Sequence, residues 1–256
     1  TTYASGTTIS DTGLLTVAQD ETETVVYVIA RSVKNPAVIN IVGVSVTDGG
    51  DGASHTWNGD GASITVANGD TIAITSTATG TLTIPAGATV TMTGTVTGAG
   101  PVHLNLGAGA KVNWAASYTG SKDSGALVQS SGSMTGELGT IEITGAIINN
   151  GTTYASAIAT SDDVVVTGGM VGGQTQGIAA NNVTINAGST VTGTSSSAIK
   201  ATNDVVINGG TITGGKESYP AVYAQGSITL AGGTITANPG AMAVFSAGGG
   251  SITVTG

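Results

Sequence analysis

The sequence predicts an all-β chain wound as a right-handed parallel β-solenoid, with three short strands per coil of about 22 residues. Three observations carry this: a phrase that returns five times in the second half, inward-outward alternation within each phrase, and glycine pairs at a fixed offset. The phrase reads V-x-I-x-G-G-T-I-T-G, then a loop, then A-I-x-A. Its opening triplets are Ile141-Glu142-Ile143, Val164-Val165-Val166, Val183-Thr184-Ile185, Val205-Val206-Ile207 and Ile228-Thr229-Leu230, with Ile252-Thr253-Val254 beginning a sixth turn. Successive starts lie 23, 19, 22, 23 and 24 residues apart.

Each coil divides into three faces. On the first, Val205 and Ile207 point inward and Val206 outward, by the two-residue period of a strand. Glycine pairs follow at Gly168-Gly169, Gly209-Gly210 and Gly232-Gly233, where a sharp corner needs positive φ or close backbone approach. The second face buries Val191, Ile212 and Ile235 between outward threonines. The third buries Ile158, Ile178, Ile199, Val222 and Val244, each beside a small residue: Ala157, Gly177, Ala198, Ala221 or Ala243.

Earlier coils carry weaker versions of the phrase: Ile64-Thr65-Val66, Leu82-Thr83-Ile84 and Leu104-Asn105-Leu106, each followed by a Gly or Pro corner. This sets the solenoid at 61–256. Near 113–137 the pattern breaks, and Trp114 to Ser124 reads as a loop leaving the stack before Ala126-Leu127-Val128 rejoins it. Residues 1–60 differ. They hold Asp20, Glu21 and Glu23, then the apolar runs Val25-Val26-Tyr27-Val28-Ile29 and Ile39-Asn40-Ile41-Val42 with Lys34-Asn35-Pro36 as a turn between them. Their lack of clean alternation implies cover on both faces, either as a cap on the first coil or by pairing with another molecule.

The run DVVINGGTITGG…AVYAQGSITLAGGTITANPGAMAVFSA resembles the β-helix repeats of secreted prokaryotic cell-surface proteins: adhesins, carbohydrate-binding β-helices of the pectin-lyase-like superfamily, and sheath or surface-layer components. The resemblance covers residues 139–256 well and 61–112 loosely. It implies a fold and carries over no catalytic residue, because such repeats are dictated by coil geometry.

Composition narrows the function. Charged residues make up 8% of the 256, against about 25% in an ordinary soluble domain. Net charge is −9 and the six cations, Arg31, Lys34, Lys111, Lys122, Lys200 and Lys216, are scattered, which argues against nucleic-acid binding. With no cysteine there is no disulfide or thiolate chemistry, and no apolar run reaches the length of a membrane span. A chain opening on Thr1 fits a secreted, extracellular protein whose signal peptide has been removed.

Enzymatic activity is not expected. A lyase of the pectate type needs several carboxylates on one face to hold Ca²⁺ and a nearby Arg or Lys as base. Arg31 lies outside the repeats, Lys200 and Lys216 fall on different parts of their coils, and His55 and His103 have no partner motif. No organic cofactor is implied. Asp163, Asn182 and Asp204 align before successive first-face strands, a few ångströms apart, and could bridge a Ca²⁺ between coils; Asp and Asn also simply favour turns.

Three functional readings follow. The leading one is an extracellular structural subunit that self-assembles, as a homo-oligomer or polymer, into a sheath, layer or filament. Its contact residues are Val25, Val26, Val28, Ile39 and Ile41 at one end and Ile252 and Val254 at the other, since no cap or charged strand covers Ser251 to Gly256. The alternative is a non-catalytic carbohydrate-binding or adhesive module with polysaccharide as partner, using Trp57, Trp114, Tyr118, Tyr154, Tyr219 or Tyr223. The third is an ice-binding solenoid, from the outward files Thr190, Thr211, Thr234 and Thr192, Thr213, Thr236. Those files are interrupted in adjoining coils by Met170 and Gly172, then Ile147 and Asn149.

Overall fold

The structure is a computed structural model of the chain and describes residues 5–10, 15–17, 25–31, 34, 38–45, 52–58, 64, 66–75, 80–131 and 137–255. Two units separate at Asp51 and Gly52. Asp20, Glu21, Glu23, Asn35, Pro36, Thr65, residues 132–136 of the expected insertion, and Gly256 lie outside the described residues, as does the side chain of Val25.

Among its described residues the first unit contains two antiparallel pairs. Thr8–Ile9 pairs with Leu15–Thr16, and Val25–Arg31 pairs with Ile39–Ser45, with Tyr27 opposite Gly43 and Ile29 opposite Ile41. In the longer pair Val26 is buried and Val28 half-buried, while Tyr27, Ile29, Ile39 and Ile41 are exposed. Among the described residues one face of this pair is therefore exposed, as an antiparallel pair tolerates.

The second unit is a parallel β-solenoid of about eight turns, three strands to a coil. Among the described residues the first face has ten strands, from Ser54–Trp57 to Ile252–Val254. The second has seven, from Thr95–Ala99 to Thr234–Ala237, and the third eight, from Gly80–Ile84 to Val244–Ser246. Each strand hydrogen-bonds in parallel to its equivalent in the next coil, so like positions stack. One first-face column runs Met92, Trp114, Ile143, Val166, Ile185, Ile207, Leu230. The second face contributes Val96, Tyr118, Ile147, Val171, Val191, Ile212 and Ile235. Most of these side chains are fully enclosed, and each is worth about 1.5–3 kcal/mol of transfer free energy.

Corners need special chemistry. Gly210 and Gly233 sit at φ +85° and +89°, and a Cβ on Gly233 would fall 2.8 Å from the carbonyl oxygen of Gly210, so no larger residue turns here. Buried polar side chains at corners are paired. Asn149 accepts from the amides of Lys122 (2.8 Å) and Gly151 (3.1 Å) and donates to the carbonyls of Lys122 (3.0 Å) and Ser156 (2.7 Å). The enclosed Asp162 accepts from Ser130 Oγ, Thr160 Oγ1 and, at 3.0 Å, the Gly139 amide.

Several sequence expectations shift. Among the described residues the first strand of the solenoid is Ser54–Trp57, before residue 61. Trp114 to Ser124 does not leave the stack: Lys111–Trp114, Ser117–Gly120 and Gly125–Ser131 are the three strands of an ordinary coil. Trp114 and Tyr118 point inward there, meeting edge to face at 5.6 Å and 83°. Aromatic rings replacing aliphatic core residues disguised the period. Leu82, Ile84, Leu104 and Leu106 belong to the third face, on strands in register with Gly125–Ser131 (Leu82 and Leu104 with Ser130), not to the first. Finally Ile147 and Asn149 are buried, so the outward residues of that coil are Ala146 and Ile148; the run Ala-Ile-Ile offers no alternation to fix its own phase.

Candidate functional site

Loops joining the second face to the third differ in length, and this shapes the surface. Ile147 to Ile158 spans 11 residues, Val171 to Ile178 seven, Val191 to Ile199 eight and Ile212 to Val222 ten, each pair being the inward residues of one coil. Two short crossings thus lie between two long ones. The long loops raise Tyr154 and Tyr219, which are 75% and 56% exposed, as banks of a trough about 14 Å apart along the axis, three strand spacings.

Both banks are braced. Asp123 Oδ1 accepts from the amides of Thr152 (2.5 Å) and Thr153 (3.3 Å) and from Thr152 Oγ1 (3.3 Å). The Ser124 amide donates to Thr153 O, and Tyr154 sits in the left-handed region at φ +49°. Those amide donors hold the Asp123 carboxyl below its ordinary value. Opposite, Lys216 and Tyr219 exchange backbone hydrogen bonds at 3.1 and 2.9 Å around Glu217, also left-handed at φ +48°. Asn238 Nδ2 donates to Gly215 O at 2.7 Å and ties this turn to the next coil.

The outward file of the third face runs Ala159, Ala179, Lys200, Tyr223 and Phe245, in register, and its last three residues line the trough's continuation beside Tyr219. One depression of about 620 Å³ lies between Tyr154 and Tyr219 and is lined by Thr, Ser and Gln side chains. A second of about 390 Å³ holds Lys200, Tyr223, Met242 and Phe245. They share Gln176, Ser196 and Tyr219. Such a surface offers ring faces beside neutral donors and acceptors, suited to a ligand with apolar faces and a hydroxyl rim.

Of the aromatics singled out from sequence, Tyr154, Tyr219 and Tyr223 come together here, whereas Trp57, Trp114 and Tyr118 are buried in the core. The Tyr118 hydroxyl donates to Gly100 O at 2.8 Å, and burial pushes its ionisation well above the ordinary tyrosine range. Phe245 and Lys200 were missed. Aligning the residue after Ile178, Ile199, Val222 and Val244 would have found them, since that column is the outward file.

Asp163, Asn182 and Asp204 do stack, but in a hydrogen-bond ladder. Asp163 Oδ1 accepts from Asn181 Nδ2 (2.8 Å), the Asn182 amide (3.1 Å) and Asn182 Nδ2 (2.9 Å). Asn182 Oδ1 accepts from the Asp204 amide at 3.1 Å, and Asp204 Oδ1 from the Ser227 amide at 2.7 Å. A cation would have to compete with these donors. Among the described residues no three His, Asp or Glu side chains converge on a point.

The threonine files are in register over the three coils expected. Beyond Met170 and Gly172 they continue as Ala146 and Ile148, then Ser117 and Thr119. His55, which has no partner motif in the sequence, meets the buried Asp70 at 2.8 Å. Burial raises the Asp70 carboxyl, but the Ala67 amide and His55 outweigh it and hold the group below its ordinary value. At the last rung Ile252 and Val254 are exposed, over half-buried Leu230, Ile235 and Val244.

No family model, curated protein or solved structure matches the chain.

Proposed function

We propose that the chain is a non-catalytic glycan-binding module of an extracellular or cell-surface protein. The observation that carries this is the trough between Tyr154 and Tyr219, continuing onto the stacked Tyr223 and Phe245. Pyranose rings present C–H faces that pack on aromatic faces, while Ser196, Gln176 and Thr175 supply neutral partners for hydroxyls. Braced loops reduce the ordering cost of binding. Retardation on native gels cast with soluble polysaccharides tests the reading. Parent protein is slowed by at least one glycan, and Tyr219→Ala combined with Phe245→Ala abolishes the effect while the melting curve stays cooperative. Equal retardation of parent and variant would sink it.

A second reading, self-association into a sheath, layer or filament, draws support from the antiparallel pair Val25–Arg31 and Ile39–Ser45, on which Ile29, Ile39 and Ile41 are exposed. Light scattering over a concentration series decides it. Growth that is suppressed by Ile41→Lys supports association, and a constant monomer mass removes it.

A further inference from the structure

We infer that the trough selects a glycan bearing isolated uronate carboxylates, with Lys200 as the group that reads the charge; this rests on the glycan-binding reading above. Lys200 stands outward on the third face, one strand step from Tyr223, and lines the smaller depression. It is exposed and takes part in neither ion pair found among the described residues, His55–Asp70 and Lys111–Glu142. The chain has 15 carboxylate side chains and six cations, yet no carboxylate lines either depression, and Lys200 is the single charged residue that does. Asp123 and Glu217 stand in the banks beside these linings, Asp123 engaged by the Thr152 and Thr153 amides, and Lys200 is the charge that the linings themselves present.

The number of cations sets the class of anion. An ammonium is a point charge suited to one carboxylate, without the fork that an Arg offers. Multiply sulfated chains call for clustered basic residues, and the trough has one lysine. With a Debye length of about 8 Å at physiological salt, the net charge of −9 is screened, so the local Lys200 field governs at contact. Tyr223, a step away, can hold the sugar face while its carboxylate turns to Lys200.

Titration calorimetry with matched oligosaccharides tests this: a xylotetraose bearing a single glucuronate branch, its methyl ester, and a heparin hexasaccharide. The acid should bind roughly three- to fivefold more tightly than the ester at 0.15 M salt, the scale of one screened ion pair. In Lys200→Gln that ratio should fall to about one. Lys111→Gln, which removes the same charge from the first face, should leave the ratio intact. A ratio near one in the parent, a ratio unchanged by Lys200→Gln, or tighter binding of heparin than of the glucuronate oligosaccharide would overturn uronate selection while the glycan reading stands. If neither these ligands nor the soluble polysaccharides bind, the glycan reading itself has failed.

Discussion

The rings of Tyr223 and Phe245 lie 6.1 Å apart between centroids, with planes inclined by 30°, on neighbouring strands of the third face. Together they make a ledge two coils long beside Lys200. An aromatic pair of this kind contributes about 0.5–1.5 kcal/mol beyond burial. Tyr223→Ala is therefore expected to lower unfolding free energy by about 1 kcal/mol but to weaken glycan binding at least tenfold, measured by thermal melts alongside affinity gels. A proportionate small loss in both would mean the ledge is structural only.

Inward and outward positions of the second face should respond in opposite ways. Ile212 is fully buried between Val191 and Ile235, whereas Thr211 faces solvent. Ile212→Ala should cost about 2–5 kcal/mol and Ile212→Asp should prevent folding, because it buries an unpaired charge. Thr211→Ala should stay within about 0.5 kcal/mol. Urea melts give all three values, and a stable Ile212→Asp would contradict the burial.

The column before the first-face strands is expected to be held by hydrogen bonds without metal. Asp163→Ala leaves three donors of Asn181 and Asn182 short of an acceptor and should destabilise by about 1–3 kcal/mol. Chelator should leave the β-sheet circular dichroism and melting temperature of the parent unchanged. If added Ca²⁺ raises the parent's melting temperature but not that of Asp163→Ala, the cation reading of Asp163, Asn182 and Asp204 returns.

Acid should weaken the first coil through Asp70. Its carboxyl lies below the ordinary value of 3.8 in the folded chain, so between the folded and unfolded values the unfolded state binds the extra proton. The stabilisation is present above about pH 4 and fades as pH falls through the folded value. Melting temperature measured from pH 6 to 2 should drop more steeply for the parent than for Asp70→Asn. Parallel curves would show that the Ala67 and His55 contacts contribute nothing to folding.

The coil pattern was legible from sequence because a period-two strand repeated near 22 residues leaves few ways to bury Val205, Ile207, Ile212 and Val222 together. It failed where chemistry replaced the aliphatic signal. Trp114 and Tyr118 are as buried as their aliphatic neighbours but read as loop residues, and Ala146-Ile147-Ile148 carries no polar marker of its outward side. The trough was half visible. Tyr154, Tyr219 and Tyr223 stood out as aromatics, but their convergence depends on loop lengths in four coils and on the register that puts Lys200 beside Tyr223. Neither is apparent until the coils are aligned strand by strand.

Unequal crossings between the second and third faces also separate what can vary from what must not. The ten-residue span from Ile212 to Val222 departs from and returns to the same stacked columns as the seven-residue span from Val171 to Ile178. Insertions and deletions there leave the ladder untouched, and neighbouring coils feel only their shared rungs. A bank can thus be transplanted: moving the Gly215–Pro220 segment one coil along should slide the trough by a single rung, and shortening it should open the floor. For an engineer, or for natural selection acting on small indels, the solenoid is a ruler on which a binding cleft can be set at chosen marks.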